Sequence, residues 1–227
     1  DLNRTPELSR IRYFTSHPRD FTREMMNAVR DCDKVCEHFH LPLQSGSGRI
    51  LKLMNRGYSP EQYLDLLAYV KEAVPKSGVT TDIIVGFPGE TEEDFKETLD
   101  VVRRARFDGA FTFIFSPRKG TAAAKMKGQI PRAEKSRRMQ ALVDLQSEIT
   151  REINKALLGE VFEILVESAD PEVPGAVRGR TRSGKMVVAL AGASSDVQAA
   201  PLPVPGDLVK VRIEEAGTWY LKGPVVQ

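Results

Sequence analysis

Three short segments combine glycines with polar side chains in a pattern that suits ligand binding. The most informative one reads DIIVGFPGET and spans residues 82–91, where a β-branched run leads through a Gly-Pro-Gly turn onto a helix cap. Glycine allows a backbone to approach a flat ligand closely, so Gly86 and Gly89 are candidate ligand contacts. A tight strand-to-helix turn, in which the glycines serve geometry alone, is the alternative interpretation.

Two further segments place polar groups just after predicted strands. The segment HLPLQSGS offers the side chains of Gln44 and Ser45, and the segment FSPRKGT offers Arg118. A guanidinium at that position can bind a carboxylate or a phosphate. In folds with parallel strands, ligands bind beyond the carboxyl ends of the strands. We therefore expect all three segments to face the same site.

The possible metal ligands are few. His38 and His40 alternate along a predicted strand, so they share one face and are candidate ligands, with a hydrogen-bonded structural pair as the alternative. Cys32 and Cys36 are four positions apart, but Phe39 stands where a CxxxCxxC triad needs its third thiolate. Two thiolates cannot hold a cubane cluster, so we interpret both as ordinary thiols. So few cysteines argue against a disulfide framework and favour a cytoplasmic protein.

The distribution of charge is more informative than the net charge of +2. Arg178, Arg180, Arg182 and Lys185 fall within eight positions, and the stretch 173–195 contains no acidic residue. Such a cluster attracts a phosphate backbone, whereas a solvated charged face is the alternative. No run of about 18 apolar residues occurs, so the sequence predicts no membrane contact.

Strand and helix patterns alternate over the first 120 residues. The predicted strands are residues 10–16, 39–43, 79–87 and 110–115. Helical patterns lie between them, one with a capping box at Ser59 and one capped by Thr91, and a long helix follows over residues 131–158. Strands separated by helices of this length indicate βαβ units and a parallel sheet, which here predicts the rear part of an α/β barrel.

The last third of the chain has a different character. Five short strands are predicted, over residues 161–166, 176–180, 186–190, 208–213 and 219–221, with Gly, Pro and Ser turns between them. This pattern indicates a small antiparallel β-barrel. The sequence thus predicts an α/β domain over residues 1–158 and a β-barrel domain over residues 159–227. The N-terminal stretch DLNRTPELSR has no initiator methionine, so we expect the chain to begin inside a longer protein.

Five phrases together resemble the methylthiotransferase family of radical-SAM enzymes: HLPLQSGS, LKLMNRGYSPEQY, TDIIVGFPGETEEDF, RFDGAFTFIFSPRKGT and GRTRSGKMVV. They occur in the family's order over nearly the whole chain. The phrase RFDGAFTFIFSPR favours the branch that acts on isopentenylated adenosine beside the tRNA anticodon over the branch that modifies a ribosomal protein. The alternatives are the sister enzyme for threonylcarbamoyl-adenosine in tRNA and a non-catalytic RNA-binding module.

The resemblance implies a partial TIM-like radical-SAM barrel that binds S-adenosylmethionine across its strand ends. The adenine is expected near Ile84, Gly86 and the backbone of Phe115 and Ser116, with polar groups of ribose or methionine near Ser16, Gln44 and Arg118. The predicted contacts are Ser16, Gln44, Ser45, Asp82, Ile84, Gly86, Pro88, Gly89, Ser116 and Arg118. The family's two [4Fe–4S] clusters need cysteines that this chain lacks, so both would belong to residues outside it, and the chain alone is expected to be inactive.

The resemblance also implies that the β-barrel is a TRAM-like domain that grips the tRNA anticodon stem-loop. The predicted RNA contacts are Arg178, Arg180, Arg182 and Lys185. Trp219 and Tyr220 are expected to pack in the barrel core, with stacking on a base as the alternative. The expected partner is therefore tRNA, bound by a cytoplasmic protein that we expect to be a monomer.

Overall fold

The computed structural model describes residues 2–14, 17–190 and 202–226. The chain divides into two compact units, Asp1–Ile149 and Thr150–Gln227. The domain boundary predicted after residue 158 lies nine positions beyond this division and stays a prediction. None of the helices formed by the described residues is both long enough and apolar enough to cross a membrane.

The first unit contains a three-stranded parallel sheet in the order β1, β2, β3. The strands are β1 (His38–His40), β2 (Gly78–Val85) and β3 (Gly109–Ile114). The helices are α1 (Arg23–Asp31), α2 (Gly48–Leu53), α3 (Pro60–Ala73), α4 (Glu92–Ala105) and α5 (Arg132–Lys155), with short 3-10 turns at Leu2–Arg4 and Ala123–Lys125. The predicted parallel sheet with intervening helices is confirmed.

Two helices begin at the capping boxes that the sequence predicts. The Ser59 side chain accepts from the Gln62 backbone N–H while the Gln62 side chain accepts from the Ser59 N–H, and Thr91 and Asp94 make the same exchange. Each box pairs backbone donors that the first helical turn cannot satisfy, which fixes where the strand-end loops turn into helix.

The predicted strand over residues 10–16 is wrong in its described part. Ile11 makes a single parallel bridge with Val35, and residues 12–14 have no strand pairing. A β-branched and aromatic segment becomes a strand only where a neighbour supplies a continuous ladder, and here the neighbour is a loop.

The sheet of the first unit is covered on one face. Along β2 the residues Val79, Ile83 and Val85 are buried, whereas Asp82 and Ile84 on the other face are half-buried. The pattern of β2 predicts burial on both faces, as in a complete parallel sheet. The described residues leave one face partly open, so the core of this unit lies on the other face.

The second unit is a closed five-stranded barrel. Its strands follow the order β6 (Met186–Leu190), β5 (Ala176–Thr181), β4 (Val161–Ala169), β7 (Leu208–Arg212) and β9 (Leu221–Val226), and β9 pairs with β6 to close it. The two-residue strand β8 (Glu215–Ala216) pairs with β9. The inward core consists of Ile164, Val166, Val177, Val187, Ala189, Val211, Ile213 and Leu221.

The predicted small barrel is confirmed, but two details of the prediction are wrong. The last strand begins at Leu221 and runs to Val226, so Trp219 and Tyr220 precede it. The closing pair β6–β9 is parallel, whereas the other pairs of the barrel are antiparallel. In this closing pair, β9 and β6 run in the same direction.

Candidate cofactor-binding and RNA-binding sites

The structure brings the three predicted ligand segments together at the end of β2, where the Phe115 N–H at the start of the third segment donates to the Val85 carbonyl at 2.8 Å. The backbone N–H of Gln44 donates to the Asp82 carbonyl at 2.8 Å, and the Gln44 carbonyl accepts from the Ile84 N–H at 2.9 Å. Gln44 is buried and has a left-handed backbone with a φ of 68°. This conformation turns the chain away from the sheet directly beside the carboxyl end of β2.

A polar network occupies the open sheet face beside these residues. The Thr80 hydroxyl lies 3.0 Å from His38 Nε2 and 2.9 Å from His40 Nδ1. His40 Nε2 lies 3.3 Å from an oxygen of Asp82. Among the described residues no group of three or more His, Cys, Asp or Glu side chains is placed to hold a metal ion. Both histidines thus hydrogen-bond to the Thr80 hydroxyl, which agrees with the structural alternative.

At Gly86 a helix side chain packs against the backbone on the side where a Cβ would point. Gly86 has a φ of 74°, and a Cβ at this position would lie 2.5 Å from Cγ of Lys135 on α5. The Lys135 ammonium donates to the Phe115 carbonyl at 3.0 Å and lies over the Phe115 ring. Gly86 is therefore required for helix packing, and Lys135 ties the loop after β2 to the end of β3.

A buried ion pair fixes the same loop from the other side. One carboxylate oxygen of Glu90 accepts from the N–H groups of Gly86 at 2.9 Å and Phe87 at 3.4 Å, and the other accepts from Arg138 at 2.7 Å. Both side chains are about 5% exposed or less. Burial raises the pKa of Glu90, and the hydrogen bond from Arg138 offsets part of that rise. The loop after β2 is thus held on two sides, by Lys135 and by the pair of Glu90 with Arg138.

Sequence reasoning missed Glu90, Lys135 and Arg138 as positioning residues. The available signal was weak: two cations three positions apart on one side of a long helix, and a glutamate directly after a Gly-Pro-Gly turn. The partners are 48 positions apart, so only the fold shows that they meet.

The remaining predicted cofactor contacts are scattered. The Ser45 hydroxyl is buried 3.4 Å from the Thr98 hydroxyl of α4, and Pro88 is buried in the loop. The Gly89 N–H donates to the Gly128 carbonyl at 2.8 Å. Ser116 and Arg118 are exposed beyond the end of β3, and Ser16 lies outside the described residues.

The accessible groups at this sheet edge have complementary chemistry. Ile84 offers a half-buried apolar surface, Asp82 a carboxylate, and the exposed Ser116 and Arg118 a hydroxyl and a guanidinium. These groups suit a ligand that combines a flat ring, hydroxyls and a carboxylate. Cys32 and Cys36 are free thiols, and Cys36 is buried, so these two side chains do not fit an iron–sulfur cluster.

The predicted RNA-binding side chains lie close to acids. Arg178 and Arg180 share the outer face of β5, as their alternation predicts, but Arg178 is paired with the fully buried Asp170 and Arg180 lies 3.3 Å from Glu167. The expectation of a surface without acids is therefore wrong. The stretch 173–195 contains no acid, but antiparallel pairing places the carboxylates of β4 and of the turn after it beside β5.

The other two cations of the cluster differ from each other. The Lys185 ammonium donates to the Asn154 side-chain oxygen at 2.9 Å, and the lysine is half-buried. Arg182 lies in the turn between β5 and β6. Trp219 is 62% exposed and Tyr220 is 38% exposed, so the expectation that they pack in the barrel core is wrong.

Two family models match this chain. The radical SAM superfamily matches residues 3–102, and the TRAM domain matches residues 155–226. Among solved structures, coproporphyrinogen III oxidase from Escherichia coli, a radical SAM enzyme, aligns with 86% of this chain and 44% of its own chain. The TM-score is 0.51 at 18% identity, so this likeness concerns the fold alone.

Curated relatives match the chain from end to end. The tRNA-2-methylthio-N(6)-dimethylallyladenosine synthase of Acetivibrio thermocellus is 49% identical over 227 residues, which is 100% of this chain and 45% of the relative. The protein of the same name from Moorella thermoacetica is 50% identical over 225 residues, 99% of this chain and 49% of the relative. This chain thus spans a little under half the length of these relatives. The chain thus contains a region of the radical SAM superfamily followed by a TRAM domain, and over its whole length it is similar to these two synthases.

Proposed function

We propose that a whole protein containing this chain transfers a methylthio group to the adenine of isopentenylated adenosine beside the tRNA anticodon, in the cytoplasm. The observation that supports this most is the identity of 49% to 50%, over essentially the entire chain, to relatives named for that product. The parallel sheet followed by a closed barrel agrees with the domain order of such an enzyme.

The proposed cofactor is S-adenosylmethionine, held at the carboxyl edge of β2 and β3. Ile84 would support the adenine, Asp82 would accept from hydroxyl or ammonium groups, and Arg118 would bind the methionine carboxylate. When bound, the cofactor supplies the radical chemistry characteristic of the family. Gln44, Ser45, Gly86, Pro88, Gly89, Ser16 and Ser116 complete the proposed site.

The proposed contributions of this chain are binding and positioning. Glu90 and Arg138 hold the loop after β2 against α5, so that the edge beside Ile84 keeps its shape when a ligand binds. Preformed geometry of this kind lowers the entropic cost of bringing reacting groups together. The ligands of both [4Fe–4S] clusters would lie in parts of the whole protein outside this chain.

The proposed RNA partner is the anticodon stem-loop, bound by a monomer through residues 159–227. Of the four predicted cations, Arg180 and Arg182 are better placed for phosphate contacts than Arg178 and Lys185. The Arg180 side chain is 42% exposed, and Arg182 lies in a turn. In contrast, Arg178 pairs with a buried carboxylate and Lys185 bonds to Asn154.

Tests of the activity need the whole protein. Its gene, expressed in a bacterium lacking its own methylthiotransferase for this nucleoside, is expected to restore 2-methylthio-isopentenyladenosine in digested tRNA, measured by mass spectrometry. Restoration of the methylthio derivative of threonylcarbamoyl-adenosine instead would assign the sister specificity. Failure to modify either nucleoside, with the protein expressed and its clusters assembled, would contradict the proposal.

The chain by itself offers a second test. After anaerobic reconstitution with iron and sulfide, we expect no stable cubane cluster, because Cys32 and Cys36 are the only two cysteines in the sequence. Iron counting and visible absorbance measure this directly. A cubane signal that disappears in the Cys32→Ala variant would contradict the assignment of both clusters to other residues.

A further inference from the structure

A groove crosses the outer face of the barrel over β5, β6 and β9. Strand register aligns Arg178 with Val188 and Val188 with Lys222, so these side chains form one row across the three strands. The groove has a volume of about 330 Å³, and Met186 and Val188 supply apolar surface at its base. This volume lies at the lower end of the range of small-molecule sites and is large enough for one flat ring.

Trp219 and Tyr220 form the aromatic side of this groove. They sit in a tight turn before β9, in which the Gly217 N–H donates to the Tyr220 carbonyl at 2.9 Å. The Asn154 side chain donates to the carbonyls of Gly217 at 2.9 Å and Thr218 at 3.1 Å, which fixes the turn on the end of α5. The backbone that carries both rings is therefore held in place.

The orientation of Tyr220 is set by its own contacts. Its hydroxyl donates to a carboxylate oxygen of Glu215, and its ring lies on Gly217, where an added Cβ would be 2.7 Å from the ring. Trp219 beside it keeps 62% of its surface exposed. A fixed tyrosine and an exposed tryptophan next to an apolar floor provide a platform on which a flat ring can stack.

Charge distinguishes among possible occupants. Within the groove, Arg178 and Lys222 are matched by Asp170 and Glu172, so the formal charges cancel. Neither a phosphate nor a cationic side chain gains much net attraction there, whereas an uncharged aromatic ring gains stacking and apolar contact. Arg180, directly opposite Met186 on the neighbouring strand, lies beside the groove at a position suited to a phosphate.

We propose that this groove binds one unpaired nucleobase of an RNA strand, stacked on Trp219 and Tyr220 over Val188. The proposal rests on the proposed function, because it supplies a base-binding site within the RNA-binding unit. The groove contributes affinity by stacking, and the neighbouring cations of β5 and its turn contribute the phosphate contacts. The two contributions are separable by their dependence on salt, since only phosphate contacts release counterions.

The sequence contains a single tryptophan, so tryptophan fluorescence reports on this groove alone. The 227-residue chain is titrated with hexa-adenylate RNA at several salt concentrations. We expect the fluorescence to be quenched, and the quenching to follow the same binding curve as anisotropy of a labelled RNA. Trp219→Ala should weaken binding by about 5- to 100-fold, the range found for removing one stacking partner, without changing the salt slope.

Two further variants control for folding. Trp219→Phe keeps a ring in place and should retain most of the affinity, whereas Val161→Ala shortens a side chain that is 44% exposed in the same barrel and outside the groove. Val161→Ala should bind as the unchanged chain does. Thermal melting of each variant shows whether a loss of binding reflects the groove or the fold.

Four outcomes would overturn the proposal. If RNA binds without quenching Trp219, or binds Trp219→Ala with unchanged affinity, the base lies elsewhere. If that binding still depends on salt, the RNA-binding part of the proposed function stands. Quenching by a trimethyl-lysine peptide but not by RNA assigns the groove to a cation. No RNA binding by the chain in any form would contradict the RNA-binding part of the proposed function as well.

Discussion

The two units bury their sheets in different ways. In the barrel, β6–β9 pairing closes the sheet, and inward residues such as Ile164, Val187 and Leu221 are fully buried. In the first unit a three-stranded sheet keeps one face half open, and Phe111 and Phe113 on β3 are 60% and 51% exposed. The barrel closes its sheet by strand pairing, whereas the first unit buries one sheet face and adds a buried ion pair between Glu90 and Arg138 at its strand ends.

The clamp between Glu90 and Arg138 is therefore expected to produce the largest single effect. Arg138→Met leaves the Glu90 carboxylate buried without its cation, which should lower the free energy of unfolding of the first unit by about 3–5 kcal/mol. Differential scanning calorimetry measures the transition of each unit. The barrel transition should stay where it is.

Its matched control is Arg137→Met at the preceding position. Arg137 is 51% exposed and pairs with Glu92 and Glu134 at the surface, so its loss should cost about 1 kcal/mol or less. Glu90→Gln combined with Arg138→Met should recover part of the lost stability, because no charge then stays buried. Equal losses of stability in Arg137→Met and Arg138→Met would show that the buried pair of Glu90 with Arg138 stabilises the unit no more than a surface pair does.

The second prediction compares the two kinds of sheet face directly. Ile164→Ala removes a fully buried side chain from the barrel and should lower its stability by about 2–5 kcal/mol. Phe113→Ala, on the open face, should cost less than about 1 kcal/mol in spite of the larger side chain. Chemical denaturation of both variants tests this, and a cost at Phe113 equal to that at Ile164 would mean that the face is covered in solution.

Local signals explain which parts of this fold were predictable. The capping boxes at Ser59 and Thr91 predict helix starts because every group involved lies within four residues. The alternation of Arg178 and Arg180 likewise predicts a shared strand face. These predictions hold because the geometry of one helical turn or one strand determines them.

Long-range pairing explains the rest. In the described part of the strand predicted over residues 10–16, only Ile11 makes a strand bridge, and Trp219 precedes the strand that was expected to bury it. Asp170 reaches Arg178 only because β4 and β5 pair antiparallel, and Lys135 meets Gly86 only because α5 packs on the loop. The sequence shows which types of side chain can lie at the site. The strand register decides which of them remain available for a ligand.

Each unit also contains a carboxylate that should make it sensitive to acid. Burial alone would raise the pKa of Asp94, but hydrogen bonds from Arg49, Ser47 and Thr91 outweigh it and hold the pKa far below its usual range. Asp170 is held low in the same way, with burial outweighed by Arg178 and two backbone N–H groups. Both contribute stability that is present above the ordinary Asp pKa and is lost as the pH falls.

We therefore expect the stability of the first unit to depend less on acid pH in Asp94→Asn. The stability of the barrel should likewise depend less on acid pH in Asp170→Asn. Each variant should be less stable than the unchanged chain at neutral pH, and the difference should shrink as the pH falls below about 4. Melting curves from neutral to acid pH measure both transitions. The same pH slope in variant and unchanged chain would contradict the assignment for that unit.

The smallest expected effect separates the cations of β5 from one another. Arg180→Ala and Arg182→Ala should each reduce the log–log salt slope of RNA binding by roughly 0.7–0.9, the value for one neutralised phosphate. Arg178→Ala should change the slope less, because its guanidinium is already paired with the buried Asp170. Arg104→Ala, an exposed cation of the first unit that lies 3.6 Å from Asp100, serves as the control and should leave the slope unchanged. Equal slope changes at Arg178 and Arg180 would show that the Asp170 pair opens when RNA binds, and a change at Arg104 would extend the RNA-binding surface to the unit with the open sheet.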